Sequence, residues 1–262
     1  MVLHRCFHNN LRSKTLLPLL IVTAATTKFI QVKAMSTASS SAAIKNNSPA
    51  ALIFLHGLGD SPAGWSSLEE QMPNLQPSLA NLKYVFPQSP TIPISINGGM
   101  TMPGWFDLYD WPIGIGVKDD DEGLRQAVQV VEECVKKLES EGVPKDRIVV
   151  GGFSQGGAVA LRAAFHNESD NGNFAACVSL SGWLTFKESK AADVPLFLGH
   201  GSFDDKVLFE QQNHAEVILT EQGIKHLESK SYSMGHSSHP QEMTDMAKFL
   251  DSILFSKESD EF

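Results

Sequence analysis

The chain has 262 residues, 42% of them hydrophobic, which is enough apolar material to bury one sizeable core in a single domain. Its formal net charge of −9 is unevenly spread: six of the 21 Lys and Arg lie in residues 1–59, which contain no Asp or Glu, so residues 60–262 set 15 basic side chains against all 30 acidic ones. A body that acidic repels phosphate backbones, and no basic stripe with interleaved aromatics occurs, which argues against nucleic acid as a partner.

Residues 1–34 place Arg5, Arg12 and Lys14 ahead of an apolar run at 16–25 that is too short to span a bilayer. Three readings fit this stretch: a mitochondrial-type transit peptide, a secretory signal with Val32-Lys33-Ala34 near its cleavage point, or initiation at Met35. Residues 36–49, rich in Ser, Ala and Asn, read as a linker. The expected organisation is an N-terminal extension at 1–49, a catalytic domain at 50–256 and a tail at 257–262. The three cysteines, Cys6, Cys134 and Cys177, show neither metal-ligand spacing nor a disulfide framework. Cys134 and Cys177 fall in amphipathic and apolar stretches and read as small core residues of a reducing compartment.

The apolar run 51–55 predicts a buried strand ending in His56-Gly57-Leu58-Gly59-Asp60, a glycine-flanked loop whose N–H groups can converge on one point. His56 follows the strand at once, and its expected role is a structural hydrogen bond. Residues 63–80 read as partly helical and interrupted at Pro73 and Pro77; residues 82–86 read as the next strand. The segment 87–118 has five prolines, five glycines and no clear period, yet it is apolar, with Trp105 and Trp111 among its side chains. Such a long connection covers either the core or an acyl-binding surface. Residues 121–141 carry the clearest helical period, through Leu124, Val128, Val131, Val135 and Leu138, with acids in the first turn and Gly142 after the end. Further strands are expected at 147–150, 175–180, 195–199 and 226–232, and a last amphipathic helix opens at Pro240. Strands alternating with helices predict a mainly parallel sheet with helices on both faces.

Within that frame Gly152-Phe153-Ser154-Gln155-Gly156 reads Gly-x-Ser-x-Gly between a strand and a helix, the context of a nucleophile elbow. A serine hydroxyl is a weak nucleophile, so it needs a base in reach and an acid that orients the base. Ser154, Asp204 and His236 follow strands in the order nucleophile, acid, base. The N–H of Gln155 and an N–H of the 56–60 loop are expected to form the oxyanion hole. His239 is a rival base, but it precedes Pro240 at a helix start. His236-x-x-His239 lacks a third metal ligand, and no nucleotide-binding glycine loop is present, so no metal and no cofactor are expected.

Several spaced motifs occur in one order: His56-Gly57-Leu58-Gly59-Asp60, Phe86-Pro87-Gln88-Ser89-Pro90, Asn97-Gly98-Gly99 with Trp105-Phe106-Asp107, the elbow, Leu180-Ser181-Gly182-Trp183-Leu184 and Met234-Gly235-His236-Ser237-Ser238. Over about residues 50–254 the chain resembles the acyl-protein thioesterases, also called lysophospholipase-like carboxylesterases. The resemblance implies an α/β-hydrolase fold, a Ser154, Asp204 and His236 triad, and oxyanion donors at Leu58 and Gln155. It further implies hydrolysis of fatty-acyl thioesters on S-acylated proteins in the cytoplasm, with weaker action on lysophospholipids and small esters. Trp105, Trp111 and Trp183 are the candidate substrate contacts, and membrane surfaces are a candidate transient partner. An organelle such as the mitochondrion is the alternative location if residues 1–34 act as a transit peptide. The chain departs from the family pattern at Ser202, where an acid is usual, at Asp205, where a proline is usual, and at Pro62. A general carboxylesterase or lysophospholipase acting on small esters or lysolipids is the alternative reading, and a non-catalytic module for a hydrophobic ligand is a third. Nothing in the sequence sets the oligomeric state.

Overall fold

The computed structural model describes residues 48–166, 173–189 and 193–255. The targeting readings of residues 1–34, Cys6 and the C-terminal tail lie outside them. Six strands form one parallel sheet in the order β2-β1-β5-β6-β7-β8. They are β1 (Ala50–Leu55), β2 (Leu82–Val85), β5 (Ile148–Phe153), β6 (Ala176–Leu180), β7 (Leu196–Gly201) and β8 (Leu227–Tyr232). The chain leaves β1 for one neighbour, β2, and later returns on its other side as β5. The strand order therefore turns over at β1, where the carboxyl ends of such a sheet open a crevice.

The alternation of side chains along β1 shows why both faces are covered. Ala51, Ile53 and Leu55 enter one core with α3 (Asp121–Ser140), α4 (Gln155–Phe165) and α5 (Glu210–Glu221). Ala50, Leu52 and Phe54 enter a second core with α2 (Leu68–Leu75) and α6 (Pro240–Leu254). A strand buried on both faces must read as a continuous apolar run, as β1 does. Helix α4 is buried along all eleven residues, packed between the sheet and α3, which accounts for its small Gly and Ala side chains.

Helix α3 starts where its acids predict, with the Asp120 carboxylate accepting from Gly123 N at 3.1 Å. The same side chain accepts from Asp107 N at 2.9 Å, so the cap also fastens the long segment before it. Pro73 does not interrupt a helix but lies inside α2; the break falls at Gln76, ahead of a 3-10 turn over Pro77–Asn81. A short helix, α1 (Pro62–Trp65), precedes α2.

The segment 87–118 is less irregular than its composition suggests. Thr91–Ile94 (β3) and Met100–Pro103 (β4) pair antiparallel around Asn97-Gly98-Gly99, with both glycines at positive φ. Pro93 and Pro103 mask the hairpin in sequence, because proline lowers the strand reading of the run that holds it. The turn signal Asn-Gly-Gly was its visible trace. Cys134 and Cys177 are unpaired thiols, and burial pushes the Cys177 thiol up. No described helix is long and apolar enough to cross a membrane.

Candidate active site

Strand β5 runs directly into the Gly-x-Ser-x-Gly motif, and its ladder reaches the serine itself: Ser154 N donates to Leu180 O at 2.8 Å. The chain then reverses into α4 with Ser154 at φ 56°, ψ −121°, a conformation that a residue with a side chain adopts only when its surroundings force it. The turn closes so tightly that a Cβ on Gly152 would lie 2.4 Å from the Gly156 carbonyl carbon. Gly152 is thus needed against the backbone of Gly156, and Gly156 in turn against the end of β1, where its Cβ would meet Leu55 O at 2.2 Å. The Ser154 side chain is left at the bottom of the crevice, in a residue 7% exposed.

Asp204 and His236, the expected acid and base, arrive on the loops after β7 and β8. These loops are joined backbone to backbone, since Ser202 N donates to Tyr232 O at 2.8 Å and Phe203 N to Met234 O at 3.0 Å. Gly201 permits the approach: a Cβ there would meet Gly235 O at 2.4 Å. His236 Nε2 lies 2.9 Å from Ser154 Oγ, and His236 Nδ1 lies 2.7 Å from Asp204 Oδ2. A carboxylate only accepts, so Nδ1 carries the proton and Nε2 is free to accept the serine O–H. The Phe153 ring packs on the imidazole with centroids 4.7 Å apart.

Asp204 is fully buried as a side chain, and burial alone would raise its pKa. Hydrogen bonds from His200 and His236 and from the Lys206 N–H outweigh that and hold the carboxyl well below the usual range. Oδ1 accepts from Lys206 N at 2.9 Å and Val207 N at 3.0 Å. Asp205 points the other way: its side chain is 75% exposed and faces Lys206 Nζ at 3.4 Å. The rival base His239 caps α6, its Nδ1 accepting from Gln241 N at 3.1 Å.

Leu58 follows β1 and Gln155 opens α4, across the strand-order reversal from each other. Neither backbone N–H has an acceptor among the described residues. His56 holds the first loop as expected: its Nδ1–H donates to Gly57 O at 2.8 Å and its Nε2 accepts from Ser89 N at 3.2 Å.

The sequence pattern described as phospholipase/carboxylesterase matches residues 39–254. The chain belongs to the phospholipase/carboxylesterase family. This phospholipase/carboxylesterase chain is 34% identical over 224 residues to a protein of Debaryomyces hansenii named acyl-protein thioesterase 1, covering 81% of this chain and 95% of that one. The crystal structure of Zea mays acyl-protein thioesterase 2 matches with a TM-score of 0.69 and 34% identity, covering 79% of this chain and 94% of that one. Arabidopsis thaliana SOBER1 matches with a TM-score of 0.72 and 29% identity over 78% of this chain and 99% of that one. As a member of this family the protein is a hydrolase of α/β-hydrolase fold.

The three tryptophans expected at the substrate are divided by the structure. Trp105 is 2% and Trp183 1% exposed, both within the core beside Phe106, whereas Trp111 is 45% exposed. Of the three candidate substrate contacts, two rings are thus enclosed by packing and the third is open. Sequence reasoning also missed His200. Its Nε2–H donates to Val207 O at 2.8 Å and lies 3.3 Å from Asp204 Oδ2, so the Asp204 carboxylate is held from a second side. The trace it left is its position, on the buried strand four residues ahead of the acid.

Proposed function

We propose that this enzyme hydrolyses fatty-acyl thioesters of S-acylated protein cysteines through Ser154, His236 and Asp204. The observation that carries the proposal is the continuous relay of 2.9 Å from Ser154 Oγ to His236 and 2.7 Å from His236 to Asp204, in a chain whose relatives are named acyl-protein thioesterases. Ser154 Oγ attacks the thioester carbonyl carbon while its proton passes to His236 Nε2. The carbonyl oxygen becomes an oxyanion between the N–H groups of Leu58 and Gln155. Collapse breaks the C–S bond, and the imidazolium protonates the departing cysteine thiolate. A water deprotonated by the same imidazole then cleaves the acyl-serine ester, releasing the fatty acid and restoring Ser154. Asp204 keeps the ring in the productive tautomer and stabilises its charged form. The catalytic unit on this reading is residues 50–256, with no cofactor, and residues 1–49 flank it.

A second reading, hydrolysis of small esters, is favoured by the enclosure of Trp105 and Trp183, which offer a long chain no surface. Two measurements test the proposal. A fluorophosphonate should label Ser154 and no other residue by peptide mapping. A series of acyl thioesters from about four to about sixteen carbons should show kcat/KM rising with length, because each methylene leaving water contributes about 0.8 kcal/mol. A series that falls beyond short chains would replace the thioesterase reading with the small-ester one.

A further inference from the structure

The two N–H groups assigned to the oxyanion lie beyond the part of the sheet that could space them. The β1–β5 ladder ends at the pair Leu55 and Gly152, three residues before each donor. What bridges the gap is a short stretch of the long segment after β4. Gln155 Oε1 accepts from Trp105 N at 2.8 Å, and Gln155 Nε2 donates to Phe106 O at 2.6 Å, all three residues being buried. From the same tryptophan, Nε1–H donates to His56 O at 2.8 Å, two residues before Leu58. One residue beyond Leu58, Gly59 N donates to Pro103 O at 2.8 Å. Residues 103–106 are therefore bonded on one side to the residue that carries one donor and on the other side to the chain that carries the second. The β1–β5 ladder closes the ring.

We infer that Gln155 is a positioning residue whose side chain, acting through Trp105 and Phe106, sets the distance between its own backbone N–H and that of Leu58. The inference rests on the oxyanion assignment of the proposed function. The three bonds that Gln155 and the Trp105 indole make are buried, so none of them is exchanged freely for water when it breaks; the fourth, from Gly59 N to Pro103 O, lies at the surface and holds less firmly. A donor displaced by about 1 Å costs on the order of a hundredfold in rate, because the oxyanion exists only in the transition state and its intermediates.

The test uses the full chain carrying Trp105→Phe, Gln155→Leu or both. Trp105→Phe keeps an aromatic ring in the core while removing the N–H to His56 O and leaving a gap where the second ring of the indole was, so it stands in for the leucine variant if that fails to fold. Each single variant should lower kcat by about 10- to 100-fold, leave KM nearly unchanged, and weaken inhibition by an acyl trifluoromethyl ketone, which forms a tetrahedral adduct on the serine, by the same factor. Breaking either side of one brace releases it, so the double variant should lose little more than the worse single one. Normal kcat with a lowered melting temperature, a change confined to KM, or additive losses in the double variant would each overturn the inference. Fluorophosphonate labelling of wild-type Ser154 reports separately on the function itself: wild-type labelling with unaffected variants rejects the brace alone, whereas an unlabelled wild type rejects the triad reading.

Discussion

The two halves of the candidate site are built by different means. Ser154, Asp204 and His236 stand at the ends of β5, β7 and β8, where parallel pairing and inter-loop backbone hydrogen bonds dictate the placement of Cα atoms. The opposite wall, residues 87–118, adds no strand to that sheet and is tied down by scattered bonds: side-chain ones through the indole of Trp105, Asp120, Asp107 and Gln155, and a few backbone ones, from Gly59 N to Pro103 O and between Ile113 and the loop after β7. Part of it is core, as at Ile94, Trp105, Phe106, Leu108 and Ile113, and part is open, as at Met100, Trp111 and Ile115. A backbone-built half suits chemistry, which tolerates little movement. A wall held by scattered bonds rather than a continuous ladder suits the choice of substrate.

Substitutions should separate the halves by the quantity they change. The largest effect belongs to Ser154→Ala, which should lower turnover on the order of a millionfold in a protein with a wild-type circular dichroism spectrum. Retention of a tenth of the activity by the folded variant would remove Ser154 from the mechanism. Next, Asp204→Asn should cost about ten-thousandfold, the scale of losing the correct imidazole tautomer, while Asp205→Asn, whose side chain faces solvent, should leave turnover close to wild type. Equal losses at the two positions would mean that the solution geometry of this loop differs from the one described.

On the other wall, Trp111→Ala should leave kcat on a short acyl thioester intact and flatten the gain in kcat/KM with chain length. The expected loss is severalfold on the longest chains, since each methylene it helps to cover contributes about 0.8 kcal/mol. An equal drop on all chain lengths would assign Trp111 to folding or to the chemistry instead. Rates over the whole chain-length series therefore test whether the halves divide the work.

The smallest effect on catalysis is expected at Glu242, and it is one of stability. This side chain lies under the end of β7, where a Cβ on Gly199 would meet its Oε1 at 2.5 Å. Oε1 has no partner among the described residues, and Oε2 accepts only from His239 N at 3.4 Å. Burial pushes the carboxyl up to about 8 from 4.5, partly offset by that N–H. With the folded value raised, the folded state binds the extra proton between those two pH values, so stability falls as pH rises through the window and the full cost is present above it. Glu242→Gln should remove that slope, so its stability should gain on wild type between about pH 5 and pH 8, by up to a few kcal/mol at about 1.4 kcal/mol per unit, read as a melting temperature that pulls ahead of wild type as pH rises. Parallel melting curves for the two proteins across that range would show that Glu242 is not protonated in the fold.

The sequence by itself determined the sheet, the elbow and the positions of three strand-end residues. These are local facts: the apolar run of β1, the 3.6-residue period of α3, and glycines flanking Ser154 are each written within a window of a few residues. Tertiary structure alone decided that His200 supports the carboxylate of Asp204, that Pro93 and Pro103 lie in a hairpin, and that Trp105 is enclosed while Trp111 is open. The reason is physical. Each of those outcomes depends on a hydrogen bond or a packing contact between side chains and chain segments that periodicity does not relate, such as Gln155 with Trp105 or His200 with Asp204. Composition and spacing say which residues are able to make such bonds, and the folded backbone says which of them come within reach.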